Sequence, residues 1–220
     1  MTDTSPSIAP LLIIGAGLAG WTTVREFRKL DTTTPVVLVT ADSGDFYAKP
    51  TLSNAYAQKR APAQLVSTPA AKMAETLNVT LLAHHQMQSL DTAAQTALVS
   101  HNGETQTLRY SQLVLATGAH PIRIPVAGSA AGQVKSINNL DDFAVFHQAL
   151  GLDPSAAEQA TPATVVIMGA GLIGCEFAND LVQAGVTVHV VDPSPRPLAL
   201  LLPAEAGEQL KAALQAQGVV

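Results

Sequence analysis

Two hexapeptides carry the chemistry most open to reading: Gly15-Ala-Gly-Leu-Ala-Gly20 and Gly169-Ala-Gly-Leu-Ile-Gly174. Both have glycine at the first, third and sixth places. The spacing suits a strand that turns sharply into a helix. Gly15 and Gly169 allow the tight turn, and Gly20 and Gly174 let the helix pack close to the strand. Gly17 and Gly171 have no Cβ, so a phosphate can reach the bare N–H groups that open the helix, where the helix dipole favours negative charge. Leu18 and Ala19 complete the first glycine turn, and Leu172 and Ile173 the second. Each turn follows an apolar run and precedes an acidic residue about 20 positions on, Asp42 and Asp192, as a dinucleotide-binding fingerprint requires. Such an acid accepts hydrogen bonds from ribose hydroxyls and repels a 2′-phosphate, which favours NADH over NADPH at Asp192, with Arg196 nearby as the opposing feature. A chain of this length holds about 0.07 such matches by chance, so the pair outweighs either alone. Tight turns in an α/β sheet, with Asp42 and Asp192 as loop caps, are the plainer alternative.

The elements around the turns fit the reading. Residues 9–14 are apolar throughout, a helical stretch with Trp21, Val24, Phe27 and Leu30 follows, and Val36–Val39 is apolar on both faces, as a buried parallel strand demands. Residues 42–53 read as a polar loop. Thr68-Pro69 starts a helix reaching Leu77, with Thr68 as its cap. Strands are expected at 79–83, 96–100, 105–110 and 113–116, with an Asn102-Gly103 hairpin turn between the second and third. A helix is expected over 141–150. The opening pattern then recurs as strand 164–168, helix 175–184 and strand 186–191. A last helix spans 203–217, and Val219-Val220 look like the start of another strand. The expected fold is α/β: two Rossmann-like, three-layer dinucleotide-binding domains, a first domain over 1–150, a Pro/Gly-rich linker over 151–162 and an incomplete second domain over 163–220.

Composition removes several classes of function. The 220 residues are 47% hydrophobic and 13% charged, with 12 Lys and Arg against 17 Asp and Glu for a net charge of −5 and no basic cluster. Nucleic-acid binding by phosphate neutralisation has no basis in that pattern. The single cysteine, Cys175, excludes an intrachain disulfide, a CxxC redox pair and a thiolate zinc site, and the six histidines form no ligand set, so no metal is expected. Cys175 reads as a small core residue. No run approaches membrane-spanning length and the N-terminus has no basic leader, which suggests a soluble, cytoplasmic protein.

Beyond the turns, LLIIGAGLAG (11–20), YSQLVLATGAHPIRIP (110–125) and VVIMGAGLIGCEFANDL (165–181) together resemble the FAD-dependent pyridine nucleotide-disulfide oxidoreductases, and they occur in that family's order. DFYAKPTLSN (45–54) is similar to the flavin-facing loop of the branch that lacks the redox cysteines and reduces small iron proteins. GCEFANDL (174–181) is similar to its rubredoxin-reducing members, with ferredoxin reductases as close neighbours. The resemblance implies FAD on the first turn and NADH on the second, with the NADH domain inserted into the FAD domain. It places Gly15, Gly17, Leu18, Ala19, Gly20, Asp42, Lys49, Pro50, Met87, Ala116, Thr117, Gly118 and Arg123 along FAD. It places Gly169, Gly171, Leu172, Ile173, Gly174, Glu176 and Asp192 along NADH. Lys49 and Glu176 would form the flavin and nicotinamide environment, with Glu176 on the first turn of its helix.

Hydride would pass from NADH to FAD without an acid–base residue, and electrons would then leave singly for rubredoxin, with ferredoxin as the runner-up. Some iron-protein reductases carry a lysine after Leu-Ser where this chain has Asn54, which leaves Lys49 to pair with Glu176. From residue types alone, Lys49 reads equally as a solvated loop lysine and Glu176 as a complement to its helix dipole. An NADH oxidase of the same fold, or a dinucleotide-binding module without turnover, remains an alternative. Family members are longer, so the chain is expected to be an N-terminal fragment, with weak FAD retention and poor activity alone.

Overall fold

The computed structural model describes residues 9–151 and 163–220, so the expected linker lies almost wholly outside the described residues. The chain divides into two compact units, residues 1–48 with 66–122, and residues 49–65 with 123–220.

In the first unit, β1 (Leu11–Ile14), β2 (Val36–Val39), β3 (Thr80–Leu82) and a strand at Gln112–Leu115 form an all-parallel sheet. In chain order the latter is β7, and the sheet order is β3-β2-β1-β7. β1 is central and buried on both faces. Because side chains alternate across a strand, it feeds two separate cores. Leu11 and Ile13 pack with Val36, Leu38 and Met73 and with Trp21 and Val24 of α1 (Leu18–Leu30). Leu12 and Ile14 pack with Val39, Ala97, Val99 and Tyr110 on the other side. That second layer is an antiparallel sheet of β4 (Gln86–Asp91), β5 (Thr96–His101) and β6 (Glu104–Arg109). Helices, a parallel sheet and an antiparallel sheet are the three layers. The continuous apolar run of β1 has this cause: neither face meets water.

The β5–β6 hairpin turns at Asn102 and Gly103, both with positive φ (50° and 84°), as an Asn-Gly turn requires. β4 has no counterpart among the expected strands. Only Met87 and Leu90 are apolar in it, and an irregularity between Met87 and Ser89 breaks the two-residue period. Helix α2 (Ala70–Leu77) starts as expected, but Thr68 does not cap it. The Ala70 amide donates instead to Asp45 Oδ1 at 2.8 Å. At the other end of α2, Arg28 of α1 donates to the Leu77 and Asn78 carbonyls at 2.7 and 2.8 Å. Both caps come from residues distant in sequence, which is why local spacing does not reveal them.

The second unit holds 3-10 turns at Lys49–Asn54 and Pro62–Leu65, then α3 (Leu140–Leu150), β8 (Thr164–Met168), α4 (Leu172–Gln183), β9 (Thr187–Val191) and α5 (Ala204–Ala216). Asn139 caps α3 by accepting from the Asp142 amide at 2.8 Å. Strands β8 and β9 pair in parallel. Val220 extends this sheet: its amide donates to Val188 O at 3.0 Å and its carbonyl accepts from Val190 N at 2.8 Å. Tyr56 packs against Phe143 and Phe146, with ring centroids 5.3 and 5.9 Å away, and stacks on His147 at 5.6 Å.

Trp21, the only tryptophan, is fully buried, and its Nε1–H donates to Gly44 O at 2.8 Å. Trp21→Phe removes that donor and leaves a buried carbonyl unpaired, so it should lower stability by about 1–3 kcal/mol. Urea denaturation followed by circular dichroism measures the loss. An unchanged midpoint would show that the bond contributes nothing net.

Candidate dinucleotide sites

The first glycine turn is held by the protein's own backbone. Gly15 donates to Val39 O at 2.7 Å and has φ +108°, a region that L side chains rarely adopt. A Cβ on Gly15 would fall 2.1 Å from Ala116 O, and one on Gly20 would fall 1.8 Å from Gly15 O. Neither position can hold another residue without moving main chain. Gly20 therefore admits the carbonyl of the turn itself, a closer neighbour than the strand side chain Ile13 at 3.7 Å. Gly17 is different: a Cβ there meets nothing within 4 Å. No neighbour of its own demands glycine, and the space beside it is open. Leu18 and Ala19 are exposed at the start of α1, whose N-cap, Gly17, provides no side-chain cap.

The second turn repeats this geometry. Gly169 has φ +106° and donates to Val191 O at 2.9 Å, and a Cβ on Gly174 would lie 2.0 Å from Gly169 O. Gly171 again has open space at its missing Cβ. Leu172 and Ile173 are more than half exposed. At both turns open space at the central glycine lies at the start of a helix whose first amides have no side-chain cap, which fits a phosphate group.

The two acids differ in their fastening. Asp192, just beyond β9, accepts from Ala170 N at 2.8 Å and Ser194 N at 2.7 Å. These amides hold its carboxyl below the usual carboxylate range, so it stays ionised beside the second turn. Asp42 accepts from Thr40 Oγ1 at 2.6 Å and Gly44 N at 3.0 Å. A cavity of about 200 Å³ is lined by Ala170, Cys175, Asp192, Ser194, Arg196 and Lys211, among others. The Cys175 thiol is buried and donates to Ala170 O at 3.4 Å, and burial, Asp192 and Glu176 push its pKa up. It remains a thiol. The Arg196 side chain packs under α5, where a Cβ on Gly207 would fall 2.8 Å from its Cδ.

The expected pairing of Lys49 with Glu176 is not what the structure holds. Lys49 Nζ donates to Asn138 Oδ1 at 2.6 Å, and Glu176 Oε2 accepts from Ser53 Oγ at 2.6 Å. A serine hydroxyl satisfies the carboxylate, and an amide oxygen satisfies the lysine. Glu176 is also the fifth residue of α4, one turn further in than expected, because the helix starts at Leu172. Pro50 lies in the Lys49–Asn54 turn, where its carbonyl accepts from Ser53 Oγ at 3.1 Å.

Of the remaining expected residues, Ala116 donates to Ile14 O at 2.7 Å and brings Thr117 and Gly118 (φ +69°) past the end of β7. Met87 sits in β4 opposite Val99. The first unit thus holds Gly15, Gly17, Leu18, Ala19, Gly20, Asp42, Met87, Ala116, Thr117 and Gly118, whereas Lys49, Pro50 and Arg123 belong to the second. Sequence reasoning missed Ser53 and Asp180. The one available signal for Asp180 was a carboxylate four residues after Glu176, on the same helix face of an otherwise apolar segment. Among the described residues, no group of three or more His, Cys, Asp or Glu is placed to hold a metal ion. No described helix is long and apolar enough to cross a membrane.

Comparisons with known proteins point to one family. The rubredoxin-NAD(+) reductases of Acinetobacter baylyi and Alcanivorax borkumensis are 40% and 41% identical over 210 residues, covering 96% of this chain and 52% of theirs. The reductase in the covalent putidaredoxin reductase–putidaredoxin complex superposes with a TM-score of 0.81 at 25% identity, over 96% of this chain and 48% of that one. The chain spans about half the length of the curated relatives it matches. The model of one family, described as pyridine nucleotide-disulphide oxidoreductase, matches residues 9–220, and the chain belongs to that family.

Proposed function

We propose that this chain is the dinucleotide-binding part of an NADH-dependent flavoprotein reductase that passes electrons to a small iron carrier of the rubredoxin kind. The observation that carries the reading is the pair of glycine turns, each with open space at its central glycine and each followed by an acid. The likeness to rubredoxin-NAD(+) reductases supports the choice of carrier. Bound FAD and NADH would supply hydride transfer and one-electron release, and the residues of the chain bind and orient them.

In this reading the first unit takes FAD and the β8–α4–β9 unit takes NADH. The amides at Gly17, Leu18 and Ala19 would meet the FAD pyrophosphate, with Gly15 and Gly20 shaping the turn and Asp42 accepting from ribose. Met87, Ala116, Thr117, Gly118 and Arg123 would line the rest of FAD. The amides at Gly171, Leu172 and Ile173 would meet the NADH pyrophosphate, with Gly169 and Gly174 shaping that turn. Asp192, kept ionised by two amides, would accept from the NADH ribose and disfavour a 2′-phosphate. Lys49, with Pro50 fixing the start of its turn, would offer positive charge to reduced flavin, and Glu176 would border both rings. No proton acceptor is required, because hydride transfer needs alignment of two rings and little else. A cytoplasmic location is part of the same proposal.

Two experiments test it. Gly17→Ala should weaken FAD binding and Gly171→Ala NADH binding, each by about tenfold or more, with stability nearly unchanged because both sites have room for a methyl group. Gly20→Ala and Gly174→Ala should instead lower stability by about 3 kcal/mol or more, since each adds a methyl group inside contact distance of a carbonyl. Fluorescence titration and urea denaturation separate the two outcomes. Equal losses of stability at all four positions would remove the phosphate assignment. For the carrier, the FAD-loaded protein reduced by NADH should be reoxidised faster by rubredoxin than by ferredoxin or oxygen. The reverse order would remove rubredoxin as the partner.

A further inference from the structure

Helix α4 carries two carboxylates one turn apart, Glu176 and Asp180, and both hold the segment that follows Lys49. Glu176 Oε2 accepts from Ser53 Oγ at 2.6 Å. Asp180 is buried, and its two oxygens accept from the Tyr56 and Ala57 amides at 2.9 and 2.8 Å. Burial pushes its carboxyl up, while the Ala57, Tyr56 and Ala55 amides pull it back. A buried acid is costly in an apolar helix, and volume alone would be filled as well by leucine. A carboxylate differs from asparagine in offering an acceptor on both atoms, matching the two amides it meets.

We propose that Asp180 is a positioning residue for the Lys49–Asn54 turn. By accepting the Tyr56 and Ala57 amides, it fixes the turn on α4 in the one register that places Ser53 on Glu176. Residues i and i+4 of a helix share a face, so the two attachments form a two-rung ladder along α4. One rung alone leaves a hinge; two fix translation and rotation. Tyr56 confirms how tightly the segment is held. Its ring lies among Phe143, Phe146 and His147, and its hydroxyl is buried with no partner among the described residues. The same helix that opens at the second glycine turn thereby sets the position of Lys49 and Pro50. The inference rests on the proposed function in assigning Lys49 and Glu176 to the flavin and nicotinamide environment.

The test uses the full chain supplied with FAD, as wild type, Asp180→Asn, Ser53→Ala and the double variant. Asp180→Asn should exchange the Tyr56 and Ala57 amide hydrogens about tenfold faster, with the β1 amides unchanged. It should shift the absorption band of bound flavin and slow flavin reduction at saturating NADH by about ten- to hundredfold, with half-saturation by NADH kept within about twofold. Ser53→Ala should add little to Asp180→Asn, because losing either rung loses the register. Faster exchange with the flavin band and saturating rate unchanged would make Asp180 merely structural and overturn the proposal, as would unchanged exchange. If Asp180→Asn does not fold, Asp180→Glu, which keeps the charge and displaces it by one methylene, is read by the same measurements and criteria. A wild-type chain whose bound flavin NADH never reduces removes the proposed function and the positioning role with it. A reducible wild type with an equally fast variant removes the positioning role alone.

Discussion

The contact on which each dinucleotide turn depends is a glycine Cα set against the carbonyl of the glycine five residues earlier: Gly20 on Gly15, and Gly174 on Gly169. It brings the first turn of a helix directly over the end of a strand, closer than any side chain would allow. Everything offered to a ligand follows from that approach. The central glycine leaves open space at the start of each helix, and an acid follows the second strand of each pair. At Asp192 the arrangement closes on itself, since the Ala170 amide inside the turn donates to the acid. Such a bond fixes the carboxylate where ribose hydroxyls would meet it and favours its charged form.

A second constraint acts within the unit formed by residues 49–65 and 123–220. The Lys49–Asn54 segment is a short 3-10 helix whose own bonds alone would hold it weakly. Buried acceptors on α4 and a ring cluster around Tyr56 hold it instead. Glu176 and Lys49 are accommodated without a charge pair. Ser53, not a cation, meets Glu176, and Asn138, not an anion, meets Lys49. Neutral partners leave the charges of both groups uncompensated by each other.

Much of this was legible in the residues. The apolar runs at 11–14 and 36–39 announced buried parallel strands because β1 and β2 are covered on both faces, and the Asn102-Gly103 pair announced a hairpin because only such residues accept two positive φ angles cheaply. The glycine turns were readable for the same reason: at Gly15 and Gly169 a positive φ, and at Gly20 and Gly174 a carbonyl against the Cα, tolerate no substitute. What could not be read depended on distance in space. Asp45 capping α2, Arg28 holding its far end and Asp180 gripping Tyr56 and Ala57 are contacts across 25, 49 to 50, and 123 to 124 positions. No periodicity encodes them. β4 escaped for a local reason, an irregularity that offsets its few apolar residues. The resemblance pairs Glu176 with Lys49, whereas the geometry of the turn presents Ser53 to the helix.

The central claim is that the two turns serve two different dinucleotides that exchange hydride. Anaerobic titration of the FAD-loaded chain with NADH, followed by flavin absorption, tests it most directly. The flavin band should bleach in proportion to NADH added, reach its end point near equimolar NADH, and respond far more weakly to NADPH. A flavin that stays oxidised in excess NADH, or a chain that binds no FAD at all, would contradict it.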